Sequence, residues 1–351
     1  MMLGQVRPQV AALQTPSSLC THRLINSSNS PPRLAHNSCR GFRDSIGSHV
    51  QSSLQQINLK QIQPTCQPNK VIIIIGGSRG IGEGLAKSCL DLQQKVFITG
   101  QSDNSINKVL TKLDSTRKQN NQTHNAQQLH SQIRGQVCDV RKLDDIEAVW
   151  DSAIDNFGRV DYWITCAGIT QSPSETQSMQ RLVDMRGAGL KDIVDVNLTG
   201  ALNCASVVIP RMEKQGHGHF YLFEGFGSDG FMRTGFAAYG ASKVAIQYLT
   251  KALAKENQEA KSPVKVSSLA PGIVITDLLK NAYAKDSKEW QRDKKVYEIL
   301  ADPVAPVAHF LAKQVLHNTQ NGNTISWLTP AKAIGRFLTA PFGKRNNLEI
   351  G

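Results

Sequence analysis

The 351-residue chain has no run of about 18 consecutive apolar residues, so no membrane-spanning helix is expected. It has no C-x-x-C pair. Its seven cysteines, at positions 20, 39, 66, 89, 138, 166 and 204, are scattered without metal-ligand spacing. They read as isolated thiols of a reducing compartment, not as a disulfide framework or a zinc site. No long basic run is interleaved with aromatics. Nucleic acid is therefore not an expected partner, although the formal net charge is +12. Acids are nearly missing from the first 66 residues, where Asp44 stands alone against Arg7, Arg23, Arg33, Arg40, Arg43 and Lys60. That stretch is rich in Ser, Gln, Asn and Pro, and lacks the compact apolar core of a secretory signal. It reads as an organellar transit peptide, with a plain disordered tail as the alternative. The folded part is expected over residues 67–351, starting near Pro68.

What is present begins at Lys70–Ile75, KVIIII, a short β-branched run of the kind that forms a buried parallel strand. It leads into Gly76-Gly77-Ser78-Arg79-Gly80-Ile81-Gly82 and then a stretch with helical apolar spacing. Strand, glycine turn and helix make a phosphate-binding crossover. Glycines admit positive φ and let a pyrophosphate approach the backbone and the helix N-terminus. The spacing is G-x-x-x-G-x-G, and a plain turn is the alternative. Gly76, Ser78, Arg79, Gly80, Ile81 and Gly82 are the candidate cofactor contacts here. The second strand, Lys95–Thr99, ends at Gly100-Gln101-Ser102, with no acid to receive a ribose 2′-hydroxyl. Arg79 is placed to meet a 2′-phosphate. Both points favour NADPH over NADH, with Asp103 nearby as the contrary sign.

Strand and helix then alternate. Residues 114–132 are polar and aperiodic and read as a surface insertion. Gly135–Val140 reads as a strand whose end carries Asp139, and 142–157 as an amphipathic helix. Val160–Thr165 is a fourth strand, followed by Cys166-Ala167-Gly168, where small residues leave room for a cofactor or make a tight turn. Leu190–Met212 has helical spacing and contains Asn197, which either braces backbone or orders a water in an active site. His219–Phe223 and Lys265–Leu269 are further strands. Pro271, Gly272 and Thr276 follow the latter, and Thr276 is a candidate for the nicotinamide amide. Asn281–Leu300 is charged and loop-prone, either a substrate lid or a solvated surface. Pro303–Leu316 reads as a helix, Thr324–Leu328 as a last strand and Ala331–Leu338 as a short helix. The fold class is α/β, one doubly wound parallel sheet of Rossmann-like form. Ligands of such sheets bind at the carboxyl ends of the strands.

One helix, Ala237–Leu253, starts with Tyr239 and Lys243, four residues apart and so on one face. An ammonium beside a phenol is expected to lower the phenol's pKa from about 10 and let it pass a proton near neutral pH. Alone, such a pair reads as an ordinary exposed Tyr and Lys. The strand-end glycines make it a candidate active site. Ser228 lies in the glycine-rich stretch before it, where a hydroxyl can be presented.

This constellation resembles the short-chain dehydrogenase/reductase family over about Lys70 to Leu328. The matching residues are Gly76, Gly80 and Gly82, Cys138-Asp139-Val140, Ala167-Gly168, Asn197, Ser228, Tyr239-x-x-x-Lys243 and Pro271-Gly272. The resemblance implies that Asn197, Ser228, Tyr239 and Lys243 are a catalytic tetrad and that Asp139 contacts adenine. Four positions depart from the family pattern: Ile75, Thr165, Cys166, and Phe226 where most members have the serine. Ser228, eleven residues before the tyrosine, resembles the chlorophyll b reductase branch, as do FAAYGASK, LAPGIVITDLL and ISWLTPAKA. Glu224 stands where that branch tends to have Asp. The branch implies reduction of the 7-formyl group of chlorophyll(ide) b in chloroplasts. Expected partners are then a lipophilic or porphyrin-like substrate, subunits of a homo- or hetero-oligomer, and a peripheral thylakoid contact through the apolar and basic segment ending at Lys344-Arg345, with an ordinary packed terminal helix as the favoured alternative for that segment. The other readings are a reductase of another carbonyl, such as a 3-oxoacyl thioester or small ketone, and a catalytically silent NADP-binding subunit.

Overall fold

The computed structural model describes residues 69–119, 132–170, 181–185, 188–282 and 287–340. All of these fall within one of the two units into which the chain divides, Pro64–Gly351. The leader, the middle of the polar insertion and the Lys344-Arg345 pair lie outside the described residues.

Seven parallel strands form one sheet: β1 (Val71–Ile75), β2 (Lys95–Gly100), β3 (Ile133–Val137), β4 (Tyr162–Thr165), β5 (Gly218–Phe223), β6 (Val264–Ala270) and β7 (Thr324–Ser326). Their order across the sheet is β3-β2-β1-β4-β5-β6-β7. The chain leaves β1 in one direction and resumes on its other side with β4. The switch point therefore lies between these two strands, and a crevice forms beyond their carboxyl ends.

The all-apolar β1 follows from its central position. Val71, Ile73 and Ile75 point to one face, and Ile72 and Ile74 to the other. The first face packs on α3 (Leu143–Phe157), α5 (Gly200–Gln215) and α6 (Ala237–Glu259), through residues such as Trp150, Val208 and Ile246. The second packs on α1 (Gly80–Asp91), α2 (Asp103–Gln119) and α9 (Val304–His317), through Leu85, Ile106 and Leu311. Burying each of these isoleucines contributes roughly 1.5–3 kcal/mol of transfer free energy.

Several local expectations change. The third strand begins at Ile133 and stops at Val137, so Asp139 lies two residues beyond it. Helix α2 runs on to Gln119, so the polar stretch begins as helix. The long helix expected over Leu190–Met212 has three pieces: α4 (Ala188–Val194), a π-helical turn at Asp195–Thr199, and α5. Such a turn marks a helix bent for a local purpose, and Asn197 sits inside it. By length and average apolarity Gly189–Gln215 would pass as a membrane span, but half of its most apolar 18-residue window is buried inside the domain.

A four-residue helix, α7 (Asp277–Lys280), precedes the loop-prone Asn281–Leu300, which itself holds a true helix, α8 (Lys288–Leu300). Ser287 caps α8 by accepting a hydrogen bond from the Trp290 backbone N at 3.1 Å. Trp290, Asp293 and Tyr297 share its inner face, at helical spacing. The last helix is α10 (Pro330–Thr339), with Ile334, Phe337 and Leu338 exposed. Its Arg336 is committed to Asp302 and to the Leu300 carbonyl oxygen.

Candidate active site

A cavity of about 840 Å³ runs along the carboxyl edge of the sheet, from the ends of β1 and β2 to α8. Its first half is a backbone cradle. Gly76 has φ +82°, and a Cβ there would stand 2.8 Å from the Ala167 backbone. Gly80 has φ +57°, and a Cβ on Gly82 would run into the Gly76 carbonyl oxygen. Gly76 needs glycine for both conformation and space, Gly80 for conformation and Gly82 for space. The Gly76 N–H is held by Thr99 Oγ1 at 3.0 Å, which pins the turn to β2. Ser78, Arg79 and Ile81 line the cavity with them, and so do Ala167, Gly168, Pro271, Gly272 and Thr276.

At the far end Gln101, Ser102, Ser105 and Lys108 join Arg79. Asp103 opens α2 and is not among the lining residues. Sequence reasoning missed Ser105 and Lys108. The signal was there: they are three apart on one helix face, just after the strand end that should meet the ribose. Asp139 also lines the cavity, but its carboxylate is gripped by Arg141, with Nη2 at 2.7 Å and Nε at 2.9 Å. The Arg141 hydrogen bond is the main reason the Asp139 pKa lies below the ordinary carboxylate range. Arg141 itself lines the cavity and was not anticipated.

The centre of the cavity holds Tyr239 and Lys243, one turn apart near the start of α6 and both buried. Gly225, just after β5, makes room for them: a Cβ there would be 2.5 Å from Tyr239 Oη and 3.1 Å from Lys243 Cε. Lys243 Nζ donates to the Phe223 carbonyl oxygen at 3.0 Å and lies 5.7 Å from the Tyr239 ring centre. Here the electrostatic expectation is overturned. Burial raises the Tyr239 pKa, with the neighbouring Cys166 thiol adding to the rise. Burial also lowers Lys243 to about 8, partly opposed by Cys166 and Glu224. Desolvation sets the direction of both shifts. The phenol is thus held as a neutral O–H donor, and the amine is the group brought close to neutral pH.

Asn197 is 3% exposed and fully engaged. Its Oδ1 accepts from Ile169 N at 2.8 Å. Its Nδ2 donates to Ile169 O at 2.9 Å and to Ser242 Oγ at 3.1 Å. It therefore braces the loop after β4 to helix α6, the first of its two expected roles. Gly168 lies between it and Lys243.

Ser228 is not brought to the cavity wall. Its hydroxyl donates to Glu224 Oε2 at 3.0 Å, and Phe226 lines the cavity instead. Glu224 was noted in the sequence only as a departure. It is 5% exposed, and its Oε1 accepts from Ser268 Oγ at 2.5 Å and Thr324 Oγ1 at 3.0 Å. These hydroxyls, from β6 and β7, are too distant in sequence to be paired with it by inspection.

Residues 70–287 match the family model described as short chain dehydrogenase. This chain belongs to that family. It is 33% identical to the chlorophyll(ide) b reductase NOL, chloroplastic, of Oryza sativa subsp. japonica, over 79% of this chain and 76% of that protein. It is 30% identical to the Arabidopsis thaliana protein of the same name, over 79% and 75% of the two chains. Among solved structures, an actinorhodin polyketide ketoreductase with NADPH superposes with a TM-score of 0.60 at 20% identity. That match covers 74% of this chain and 95% of the ketoreductase, and shows the fold.

In this short-chain dehydrogenase the second half of the cavity is aromatic. Phe226 and Phe236 ring centres are 5.3 Å apart, and Phe236 meets Tyr239 edge-on at 6.2 Å. Tyr297 of α8 faces them across the cavity, with the Arg233 guanidinium 5.9 Å from its ring centre. Helix α8 is thereby part of the site wall.

Proposed function

We propose that this short-chain oxidoreductase uses NADPH to reduce the 7-formyl group of chlorophyll(ide) b to 7-hydroxymethyl, in the chloroplast. The observation that carries the reading is the neutral, buried Tyr239 phenol at the meeting point of a glycine cradle and an aromatic chamber. The names of the two plant relatives support the substrate and the compartment, and the acid-poor leader supports the compartment as well. The cradle fits a dinucleotide on steric grounds, because side chains at Gly76, Gly80 and Gly82 would fill or strain it. Arg79 and Lys108, with Asp103 not among the lining residues and Asp139 paired with Arg141, support the 2′-phosphorylated form.

When bound, the nicotinamide supplies the hydride. The residues of the chain do the rest. Tyr239 donates its proton to the carbonyl oxygen as negative charge develops there. Lys243, fixed on the Phe223 carbonyl, stabilises the resulting phenolate and returns a proton to it. Asn197 keeps the Ile169 loop, and with it Gly168, against Lys243. Ser228 serves the carbonyl oxygen only after turning its hydroxyl away from Glu224, so Tyr239 is the first donor. Phe226 and Phe236 offer ring edges and faces to a flat conjugated substrate.

The test is to incubate the full chain with NADPH and chlorophyllide b and look for the 7-hydroxymethyl product by absorption and mass. A Tyr239→Phe variant runs beside it, with turnover expected to fall about 10²–10⁴-fold. Turnover of aliphatic ketones without pigment reduction would reject the substrate, and normal turnover by Tyr239→Phe would reject the mechanism.

A further inference from the structure

Arg141 lines the cofactor end of the cavity and has no part in the chemistry described above. It belongs to the turn between β3 and α3, and that turn is tied down. Asp139 N donates to Asp145 Oδ2 at 2.8 Å, and Lys142 N to Asp139 O at 2.9 Å. Asn203 Nδ2, from α5, donates to Val140 O at 3.0 Å. The guanidinium is tied down as well. Its Nε and Nη2 run side by side into the Asp139 carboxylate, at 2.9 and 2.7 Å, and its Nη1 donates to Asp192 Oδ1 of α4 at 3.3 Å. A two-pronged pair of this kind favours one shared plane. Both carboxylates meet the guanidinium at its edges, where its N–H groups are. Its two flat faces take no part in these bonds, and the side chain is 46% exposed.

The sequence of features along the cavity decides what meets that plane. The glycine cradle suits a pyrophosphate, and Tyr239 marks the reacting end. The adenosine of a dinucleotide then extends the other way, past Arg79 and Lys108, toward the end of β3. Val137 ends that strand with 39% of its surface exposed, and Val196 of the π-helical turn lines the same cavity. A purine needs cover for its flat faces and an acceptor for its exocyclic amine. By resemblance the acceptor is Asp139. Yet the Asp139 carboxylate already takes Arg141 N at 3.1 Å, Nε at 2.9 and 3.1 Å, and Nη2 at 2.7 Å. To serve an amine it would have to give up part of its ion pair.

We propose that Arg141 is the adenine platform of this site: the purine lies on the guanidinium face, and Asp139 and Asp192 act by holding that face in place. This rests on the NADPH reading above. Guanidinium planes stack on π systems, and one already held by two carboxylates loses little freedom in doing so. The in-plane ion pairs survive, because stacking uses the face and they use the edge. A stacked base is recognised by its face, so the exocyclic amine counts for little.

Isothermal titration calorimetry of the full chain tests this without turnover. The unmodified chain is titrated with NADPH, NADH and deamino-NADPH, whose hypoxanthine lacks the exocyclic amine. Deamino-NADPH should bind within about threefold of NADPH, whereas a lost hydrogen bond to an ionised Asp139 would cost about tenfold or more. Arg141→Met keeps the stem and removes the plane. It should weaken NADPH and NADH alike, by about threefold to thirtyfold. Arg141→Lys keeps the charge without the plane and should do no better. Adding Asp139→Asn to Arg141→Met should cost nothing more, because Asp139 acts through Arg141. A deamino cofactor bound about tenfold more weakly by the unmodified chain would overturn the proposal and return the amine to Asp139. So would a loss confined to NADPH, which would put Arg141 on the 2′-phosphate, or full recovery in Arg141→Lys, which would make it a simple charge. Binding of none of the three dinucleotides by the unmodified chain would overturn the cofactor reading and the proposal together.

Discussion

Lys243 should oppose the fold that it serves. Its pKa falls from 10.5 to about 8 through burial. Between those values the unfolded chain carries the proton and the folded chain does not. Stability must therefore rise as pH climbs from about 8 to 10.5. Below pH 8 the full penalty applies, at roughly 1.4 kcal/mol per pKa unit, or about 3 kcal/mol. Replacing Lys243 by methionine removes the charge and keeps most of the volume. It also removes the hydrogen bond to the Phe223 carbonyl, a loss of about 1 kcal/mol. At pH 7 the variant should then be about 2 kcal/mol more stable than the unmodified chain. At pH 10.5 it should be about 1 kcal/mol less stable. Urea denaturation at the two pH values, followed by far-UV circular dichroism, measures the difference. The same variant should lose carbonyl reduction, so that activity and stability move in opposite directions. In the unmodified chain kcat/KM should fall above pH 8 through Lys243, because the raised Tyr239 pKa keeps the phenol protonated there. A methionine variant less stable by the same amount at both pH values would refute the reasoning, since it would make Lys243 a net stabilising contact whatever its charge.

Two further outcomes follow from other parts of the molecule. Arg79→Gln with Lys108→Gln should raise the KM for NADPH tenfold or more and leave that for NADH nearly unchanged, measured with one carbonyl substrate; a parallel rise for both cofactors would take the two cations off the 2′-phosphate. His219 is 4% exposed, bonded to Ser267 Oγ and Tyr221 Oη, and its pKa is lowered by burial from 6.5 to about 3. The unfolded chain takes up its proton first, so stability should fall by about 1.4 kcal/mol per pH unit below 6.5. A His219→Gln variant whose stability falls just as steeply between pH 6.5 and 4.5 would remove that assignment.

What could be read from the sequence, and what could not, divides by the range of the interactions involved. The cofactor half of the site is local. Strand β1, the glycines and α1 are consecutive, and their conformations follow from β-branching, positive φ and helical spacing within about twenty residues. The Tyr239–Lys243 pair is local in geometry, and the two residues do lie one turn apart on one helix as their spacing predicts. Its electrostatics were wrong because burial is set by the whole domain. Four residues of helix reveal the ammonium but not the loss of water that raises the phenol's pKa instead. Helix α8 was read as loop because only a narrow stripe faces inward, and one member of that stripe, Asp293, is an acid that looks solvated until Arg233 is found against it.

Ser228 is the instructive case. Its spacing to Tyr239 was the sequence's finest indication of a branch within the family, and relatives in that branch do match the chain. Yet its hydroxyl is turned to Glu224, and the cavity position belongs to Phe226. The two facts are compatible if spacing records the shape of the loop and not the direction of one side chain. A loop of that shape has to be anchored. The anchor is a buried carboxylate that gathers hydroxyls from the loop, from β6 and from β7. Three donors on one carboxylate make its geometry costly to change, because each donor freed in the interior would lose its partner. The loop that carries Phe226 and Arg233 is thus fixed from below by Glu224 and from above by Asp293 of α8. A chamber held at both ends selects substrates by shape and charge. On that ground substrate selectivity should respond to Phe226, which lines the cavity, more than to Ser228, although Ser228 lies nearer in sequence to Tyr239.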